Sequence, residues 1–191
     1  VTFVPVEPDG IVEAEKIRQA ITDETILVSV IYANNEIGTL QPVKEIAAIA
    51  MEYGIYSHTD AVQAIGRAHI DVEELGVDML SLTAHKFYGP KGIGALYIRQ
   101  GSQITPLIYG GGQERGLRSG TESVPLIVGF GKAAEIAIKD MDDEVKRLKP
   151  LRDKLVKGIV ENIDGVLVNG NMEKRLPNNA NVCFEGVALE K

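Results

Sequence analysis

The most informative segment of this chain is Leu80-Ser81-Leu82-Thr83-Ala84-His85-Lys86-Phe87-Tyr88-Gly89-Pro90-Lys91-Gly92. An apolar run from Met79 to Leu82 ends in a hydroxyl, a histidine and a lysine, and a loop with glycine and proline follows. This pattern predicts a buried strand with Lys86 just beyond its end. A lysine that loses solvent there becomes a good nucleophile, although most lysines in loops are simply solvated.

Two earlier predicted strands also end in polar side chains. The run from Thr25 to Tyr32 leads into Asn34, and the run that starts at Ile55 leads into Asp60 and Gln63. Ligands of parallel sheets bind at the carboxyl ends of the strands, so we expect an amide, a carboxylate and a lysine at one edge. Each residue also has an ordinary alternative, because Asp60 suits a helix N-cap and Asn34 suits a turn.

A lysine and a carboxylate at one sheet edge suit pyridoxal 5′-phosphate (PLP). The amine of Lys86 would form the Schiff base with the cofactor. An anion such as Asp60 would keep the pyridine nitrogen protonated, which makes the ring a better electron sink. Gln63 would donate to the phenolic oxygen, and Asn34 would turn its amide toward the ring.

Four segments resemble the NifS-like cysteine desulfurases, which are fold-type I PLP enzymes of the aminotransferase class V group. The segments are Asn34-Asn-Glu-Ile-Gly38, His58-x-Asp60-x-x-Gln63, Ala84-His-Lys-x-Tyr-Gly-Pro-Lys-Gly92 and Gly110-Gly-Gly-Gln-Glu-Arg-Gly-Leu-Arg-Ser-Gly-Thr121. They follow one another in the family's order through nearly the whole chain, and the last is the most specific.

The resemblance implies that seven residues bind the cofactor, namely Asn34, Asp60, Gln63, Thr83, His85, Lys86 and Thr121. On this resemblance, Lys86 would be the catalytic Schiff-base lysine and Asp60 would be the partner of the pyridine nitrogen. Thr83 stands where the family usually has serine, keeps the hydroxyl, and would bind the phosphate with His85. Thr121 matches the residue that family members offer to the phosphate of the neighbouring subunit, which implies a homodimer.

The activity implied by the resemblance is the conversion of L-cysteine to L-alanine. Sulfur would leave as a persulfide for a sulfur-acceptor or iron–sulfur scaffold protein in the cytoplasm. The chain is expected to begin and end inside the family pattern, without the loop that carries the sulfur-accepting cysteine, and so to be inactive alone. A selenocysteine lyase, a class V aminotransferase and a non-catalytic remnant of the fold remain alternatives.

Several other features constrain the function. Cys183, the only cysteine, lies in an apolar β-like run and is expected to be a core residue rather than the nucleophile. His58 would either help to fix Asp60 or simply pack. No group of residues has the spacing of a structural zinc site, so no metal is expected. A net charge of −7 argues against nucleic acid, and no apolar run approaches the ~20 residues of a membrane span.

Alternating strand and helix patterns predict an α/β fold, with a mostly parallel sheet sandwiched by helices. The resemblance implies that this sheet is the incomplete large domain of fold-type I, followed by the start of a small α+β domain. Predicted strands cover 1–6, 26–31, 55–58, 79–83, 93–98, 166–168 and 182–184, and predicted helices cover 12–21, 42–53 and 124–162, with a kink or break at Pro150. Residues 1–140 would bind the cofactor, and 141–191 would form the hinge helix and the beginning of the small domain.

Overall fold

The computed structural model describes residues 1–187. The helices are α1 (Ala14–Ala20), α2 (Val43–Glu52), α3 (Val72–Leu75) and α4 (Val124–Asn162). The strands are β1 (Leu27–Ile31), β2 (Tyr56–Asp60), β3 (Met79–Thr83), β4 (Gly94–Ile98), β5 (Val166–Val168) and β6 (Val182–Phe184). Short 3₁₀ turns occur at Ala84–Phe87 and Glu114–Gly116.

The main sheet has the strand order β1-β2-β3-β4. The first three strands are parallel, and β4 is antiparallel to β3. Ile31 lies opposite Asp60, and Asp60 lies opposite Ser81, so the three parallel strands end at the same edge. A mostly parallel sheet with helices confirms the predicted fold class.

The two faces of the main sheet differ in character. Helix α2 packs its apolar stripe, with Val43 and Ala47, into one core cluster with Val77 and Leu80 from the β3 region. Burying a side chain such as Leu80 stabilises the fold by about 1.5–3 kcal/mol. Side chains alternate along a strand, so the opposite face carries His58 and Asp60 of β2. Both of these polar side chains are half-buried.

Helix α4 contains 39 residues and runs without interruption through Pro150. Of the predicted kink or break at this proline, the break is therefore wrong, even though proline removes one backbone donor from a helix. Near its start, the ring of Phe130 packs against the buried ring of Phe87, with centroids 5.6 Å apart. Farther along, Arg152 is buried and donates to the carbonyl oxygen of Leu176 at 3.0 Å.

Strands β5 and β6, whose positions match the two predicted strands, form a separate antiparallel pair. The segment between them packs against the loop that follows β1. The amide of Leu40 donates to the carbonyl of Lys174 at 2.8 Å, and the amide of Leu176 donates to the carbonyl of Gly38 at 2.9 Å. Leu176 is only 3% exposed and belongs to the core cluster beneath the main sheet.

Some element boundaries differ from the prediction. Residues 1–6 form no strand, and the side chains of Val1 and Phe3 are exposed. β-branched residues indicated a strand there, but no neighbouring strand within residues 1–187 pairs with them. Strand β2 continues to Asp60, two residues beyond the predicted end, with Thr59 buried and Asp60 half-buried on the opposite face.

Candidate cofactor-binding site

Three loops meet at the carboxyl edge of the parallel strands. Asn34 lies three residues beyond the end of β1, Asp60 is the last residue of β2, and Lys86 lies three residues beyond β3. The shared register of the strands brings these loops to one side of the sheet. The sequence-predicted amide, carboxylate and lysine therefore occupy the same edge.

Asn34 builds the loop after β1 with its own side chain. Its Oδ1 accepts hydrogen bonds from the amides of Glu36, at 2.9 Å, and Ile37, at 3.0 Å. Gly38 closes the turn with a φ of +71°, a conformation that favours glycine. The carboxamide oxygen is occupied, and within residues 1–187 nothing accepts from the NH₂ group, so Asn34 retains that group as a donor. Asn34 can therefore stabilise the turn with its oxygen and still direct its NH₂ group toward a cofactor ring.

Asp60 caps a turn rather than a helix. Its Oδ1 accepts a hydrogen bond from the amide of Val62 at 2.9 Å, and residues 62–67 form turns. The N-cap alternative is therefore wrong, since no helix starts at Asp60. A carboxylate offers lone pairs on both oxygens, so the second oxygen of Asp60 can still accept from a protonated ring nitrogen.

His58 joins all three parallel strands beneath Asp60. Its Nδ1 lies 2.8 Å from Oγ of Ser29 on β1, and its Nε2 lies 2.8 Å from Oγ of Ser81 on β3. Burial lowers the pKa of His58 below its ordinary value, and the nearby charge of Asp60 opposes this shift. A neutral imidazole that bridges two hydroxyls does more than the simple packing that was one alternative.

Thr83 and His85 lie together at the end of β3. Oγ1 of Thr83 is 3.0 Å from Nδ1 of His85, and it also lies 3.2 Å from the carbonyl oxygen of Ile93. Both side chains can hydrogen-bond to phosphate oxygens, and His85 is exposed. The sequence therefore predicted a hydroxyl–imidazole pair that the structure brings into contact.

Lys86 is half-buried within the 3₁₀ turn Ala84–Phe87. Tyr88 follows with a positive φ of 67°, and its amide donates to the carbonyl of Ala84. Phe87 anchors the turn by its contact with helix α4. The short turn and its buried anchor determine where the lysine leaves the backbone.

Sequence reasoning missed one residue at this edge, Arg67. Its guanidinium donates to the backbone carbonyls of Lys86, at 2.8 Å, and Gln63, at 3.1 Å. It also faces Oε1 of Gln63 at 3.5 Å. An arginine in a loop carries no sequence signal for donation to distant carbonyls, so the sequence pattern could not identify it.

The glycine-rich loop from Gly110 to Thr121 behaves differently from the strand-end loops. Its hydrogen bonds are internal, from Oγ of Ser119 to the carbonyl of Gly111 at 2.7 Å and from the amide of Gly120 to Oε1 of Gln113 at 3.0 Å. Thr121 is exposed. Within residues 1–187, no hydrogen bond joins Thr121 to the other six candidate residues.

Cys183 is exposed, so the expectation of a core position is wrong. It lies opposite Leu167 in the pair of β5 and β6, and Leu167 is exposed too. Among the described residues, the β5–β6 pair has one face more covered than the other, and both residues lie on the open face.

His69, Asp71 and Glu74 bring potential metal ligands within 4.8 Å of one another, but all three are exposed. Asp71 is occupied by capping α3, because its Oδ1 accepts from the amides of Glu73 and Glu74. This arrangement is that of a helix N-terminus rather than a built metal site.

No helix within residues 1–187 is long and apolar enough to cross a membrane.

The donor set at the sheet edge fits PLP. The cofactor has an aldehyde, a pyridine nitrogen, a phenolic oxygen and a phosphate. The edge offers an amine, a carboxylate, side-chain amides and a hydroxyl–imidazole pair. Each group on the cofactor therefore has a chemically suitable partner among residues of this chain.

Comparisons with known proteins agree with this chemistry. The aminotransferase class-V family matches residues 1–191. The chain is 56% identical over its full length to the cysteine desulfurase IscS of Clostridium botulinum, covering 48% of that protein. It is 54% identical to the cysteine desulfurase IscS of Methanosarcina thermophila, again over its full length and 47% of the relative.

Solved structures of NifS-like proteins have a fold similar to that of this chain. A NifS-like protein superimposes with a TM-score of 0.92 at 45% identity, over 97% of this chain and 51% of the other. DndA from Streptomyces lividans superimposes with a TM-score of 0.85 at 35% identity, over 96% of this chain and 52% of DndA. The chain spans about half the length of the curated relatives it matches. It belongs to the aminotransferase class-V family of PLP-dependent enzymes.

Proposed function

We propose that this chain forms the cofactor-binding part of a cysteine desulfurase, which takes sulfur from L-cysteine and leaves L-alanine. The observation that carries the proposal is the meeting of Asn34, Asp60 and Lys86 at one sheet edge. It is supported by similarity, over the whole of this chain and about half of the relatives, to proteins named cysteine desulfurase. When bound, PLP supplies an electron sink that stabilises negative charge developing on the substrate.

The residues of this chain would divide the work at the edge. Asp60 would hold a proton at the pyridine nitrogen, because an adjacent carboxylate favours the charged ring. Asn34 and Gln63 would donate to the phenolic oxygen. The amine of Lys86 would bind the aldehyde and, once displaced by L-cysteine, would move protons on the substrate.

The phosphate would be held by Thr83 and His85 of one subunit and by Thr121 of its partner. The exposure of Thr121 supports this role, since a residue that serves a neighbouring site must be accessible. The proposed assembly is a cytoplasmic homodimer. Residues 1–140 would bind the cofactor, and 141–191 would form the hinge helix and the start of the small domain. The persulfide would pass to a sulfur-acceptor or iron–sulfur scaffold protein.

Covalent trapping tests the role of Lys86. Borohydride reduction of the protein with PLP is expected to fix the cofactor to the peptide that contains Lys86, as measured by mass spectrometry. Lys86→Ala should abolish this labelling, whereas Lys91→Ala, at an exposed lysine in the same loop, should retain it. Labelling that survives Lys86→Ala would refute the assignment.

Substrate tests separate the desulfurase from its alternatives. The natural polypeptide that contains this sequence should release alanine from L-cysteine. Lys86→Ala should lower the rate of alanine release by at least ~10³-fold, because the covalent route is lost. Turnover of L-selenocysteine alone would indicate a selenocysteine lyase, and amino-group transfer would indicate an aminotransferase. A wild-type protein that binds no PLP would be a non-catalytic remnant.

A further inference from the structure

Arg67 connects two loops of the proposed site. It lies in the turn after β2, where its amide donates to the carbonyl of Ala64 at 2.9 Å. From there its half-buried side chain reaches the 3₁₀ turn after β3. Nη2 donates to the carbonyl oxygen of Lys86 at 2.8 Å, and Nη1 donates to the carbonyl oxygen of Gln63 at 3.1 Å.

A guanidinium is suited to this bridging position. Its donors form a rigid planar fork, so two carbonyls that bind it are held in one relative geometry. A charged donor also makes a stronger hydrogen bond than a neutral one. The parallel ladder between β2 and β3 pairs residues only as far as Asp60 and Ser81. Beyond that point Arg67 supplies a direct link between the loops.

We propose that Arg67 is a positioning residue, which holds Lys86 and Gln63 in place for the cofactor. The proposal rests on the proposed function, since it assigns Lys86 and Gln63 their cofactor roles. Arg67 acts on Lys86 through the backbone, by holding the carbonyl of the lysine within its short turn. The amine then extends from a constrained position, so the Lys86 side chain loses less conformational entropy when it reaches the aldehyde.

Arg67 also orients the side chain of Gln63. The carboxamide oxygen of Gln63 faces Nη1 of Arg67 at 3.5 Å, because two donors would repel each other. The NH₂ group of Gln63 is thereby directed away from the guanidinium, and no residue of the described range 1–187 accepts from it. A free amide donor is what the phenolic oxygen of PLP requires. One guanidinium therefore organises two groups that contact different parts of the cofactor.

Arg99 provides a matched control in the same sheet. Its guanidinium also donates to two carbonyls, those of Val72 at 2.8 Å and Val77 at 3.1 Å, and it pairs with Glu73. These contacts lie at the opposite end of β3, where the strand begins. Arg99 thus performs the same structural task without touching any candidate cofactor residue.

The experiment compares the Arg67→Met and Arg99→Met variants of the natural polypeptide that contains this sequence. The Kd for PLP, measured by titration of the cofactor absorbance, is expected to rise about tenfold in Arg67→Met because a charged hydrogen bond is lost. In Arg99→Met it should stay within about twofold of wild type, while the unfolding midpoint falls. An unchanged Kd in Arg67→Met, or an equal rise in both variants, would overturn the proposal.

Hydrogen exchange gives a readout that needs no cofactor. Without PLP, amides of the 84–89 turn should exchange faster in Arg67→Met than in wild type and in Arg99→Met. Arg67→Lys keeps the charge but loses the fork, so its PLP affinity and exchange rates should lie between those of wild type and Arg67→Met. This milder variant also covers the case in which Arg67→Met fails to fold. If Arg67→Lys matched wild type in both PLP affinity and exchange rates, the claim that the planar guanidinium is required would be wrong.

A failure of the proposed function looks different. If the wild-type protein binds no PLP, the desulfurase proposal is wrong, and so is any role of Arg67 toward the cofactor. If wild type binds PLP and Arg67→Met binds it equally well, the desulfurase proposal stands and only the inference about Arg67 is lost.

Discussion

Two loops with family motifs, Asn34–Gly38 and Gly110–Thr121, are held in place in different ways. The first has internal hydrogen bonds to Asn34 and is also fixed from outside, because Nδ2 of Asn179 and Nδ2 of Asn181 both donate to the carbonyl of Glu36, at 2.8 and 3.2 Å. The second is stabilised by hydrogen bonds within itself and exposes most of its side chains. A strong motif therefore does not by itself reveal whether a loop is anchored by its own chain.

The difference bears on what each loop can do. An anchored loop can present a group such as the amide of Asn34 at a fixed position relative to Asp60. An exposed loop leaves residues such as Thr121 accessible to another subunit, which agrees with the proposed contribution across a dimer. The comparison predicts that substitutions near the first loop disturb folding of the single chain more than equivalent substitutions in the second.

Leucine truncation should give the largest contrast. Leu176 is 3% exposed beneath the Asn34–Gly38 loop, whereas Leu107, just before the second loop, is 93% exposed. Leu176→Ala is expected to lower the free energy of unfolding by about 2–5 kcal/mol, because it leaves a cavity in the core. Leu107→Ala should change it by less than about 0.5 kcal/mol in the monomer. Denaturant titration measures both, and equal losses would break the comparison.

Alanine at two glycines should give a smaller contrast. A Cβ at Gly38, where φ is +71°, would lie 2.4 Å from Cγ of Asn179, whereas a Cβ at Gly112 meets no described atom within 4 Å. Gly38→Ala should cost about 1–3 kcal/mol from backbone strain and a displaced Asn179, and Gly112→Ala about 0.5 kcal/mol or less. Thermal unfolding of both variants checks this. A Gly112→Ala loss as large as that of Gly38→Ala would show that the second loop is also anchored.

Lowering the pH should produce the smallest change in folding stability, through protonation of His58 beneath Asp60. Its folded pKa lies below 6.5, mainly because of burial. The unfolded chain therefore binds the proton more readily, so the stability that this group contributes is present above the unfolded pKa and is lost as pH falls from there through the folded pKa. His58→Gln should lose less stability than wild type between pH ~7 and ~5. An NMR titration midpoint of His58 at or above 6.5 would contradict this.

Much of the fold could be predicted from the sequence. The predicted strand 79–83 coincides with β3, and the predicted tract 124–162 coincides with α4. Apolar runs that end abruptly and helical spacing over many residues are strong local signals. The candidate residues at the ends of β1, β2 and β3 could also be predicted to meet, because parallel strands place their carboxyl ends at one edge. Their individual roles remain predictions.

The errors concern properties that depend on distant parts of the chain. Residues 1–6 have strand propensity but no partner strand, and Cys183 has apolar neighbours in sequence but lies on an open face. Arg67 was missed for the same reason, since its two carbonyl partners follow different strands. Local pattern predicts which element a residue joins. It does not predict what lies across from that residue in space.

The exposed position of Cys183 has a practical consequence for sulfur chemistry. It is the only cysteine in the sequence, and its Sγ lies 2.9 Å from Nδ2 of Asn169. A thiol-reactive fluorophore would therefore label this chain at one known point. Any sulfane sulfur that peptide mapping detects on these 191 residues must likewise sit on that single thiol. Replacing it with serine would give a background-free chain on which transferred sulfur could be followed elsewhere.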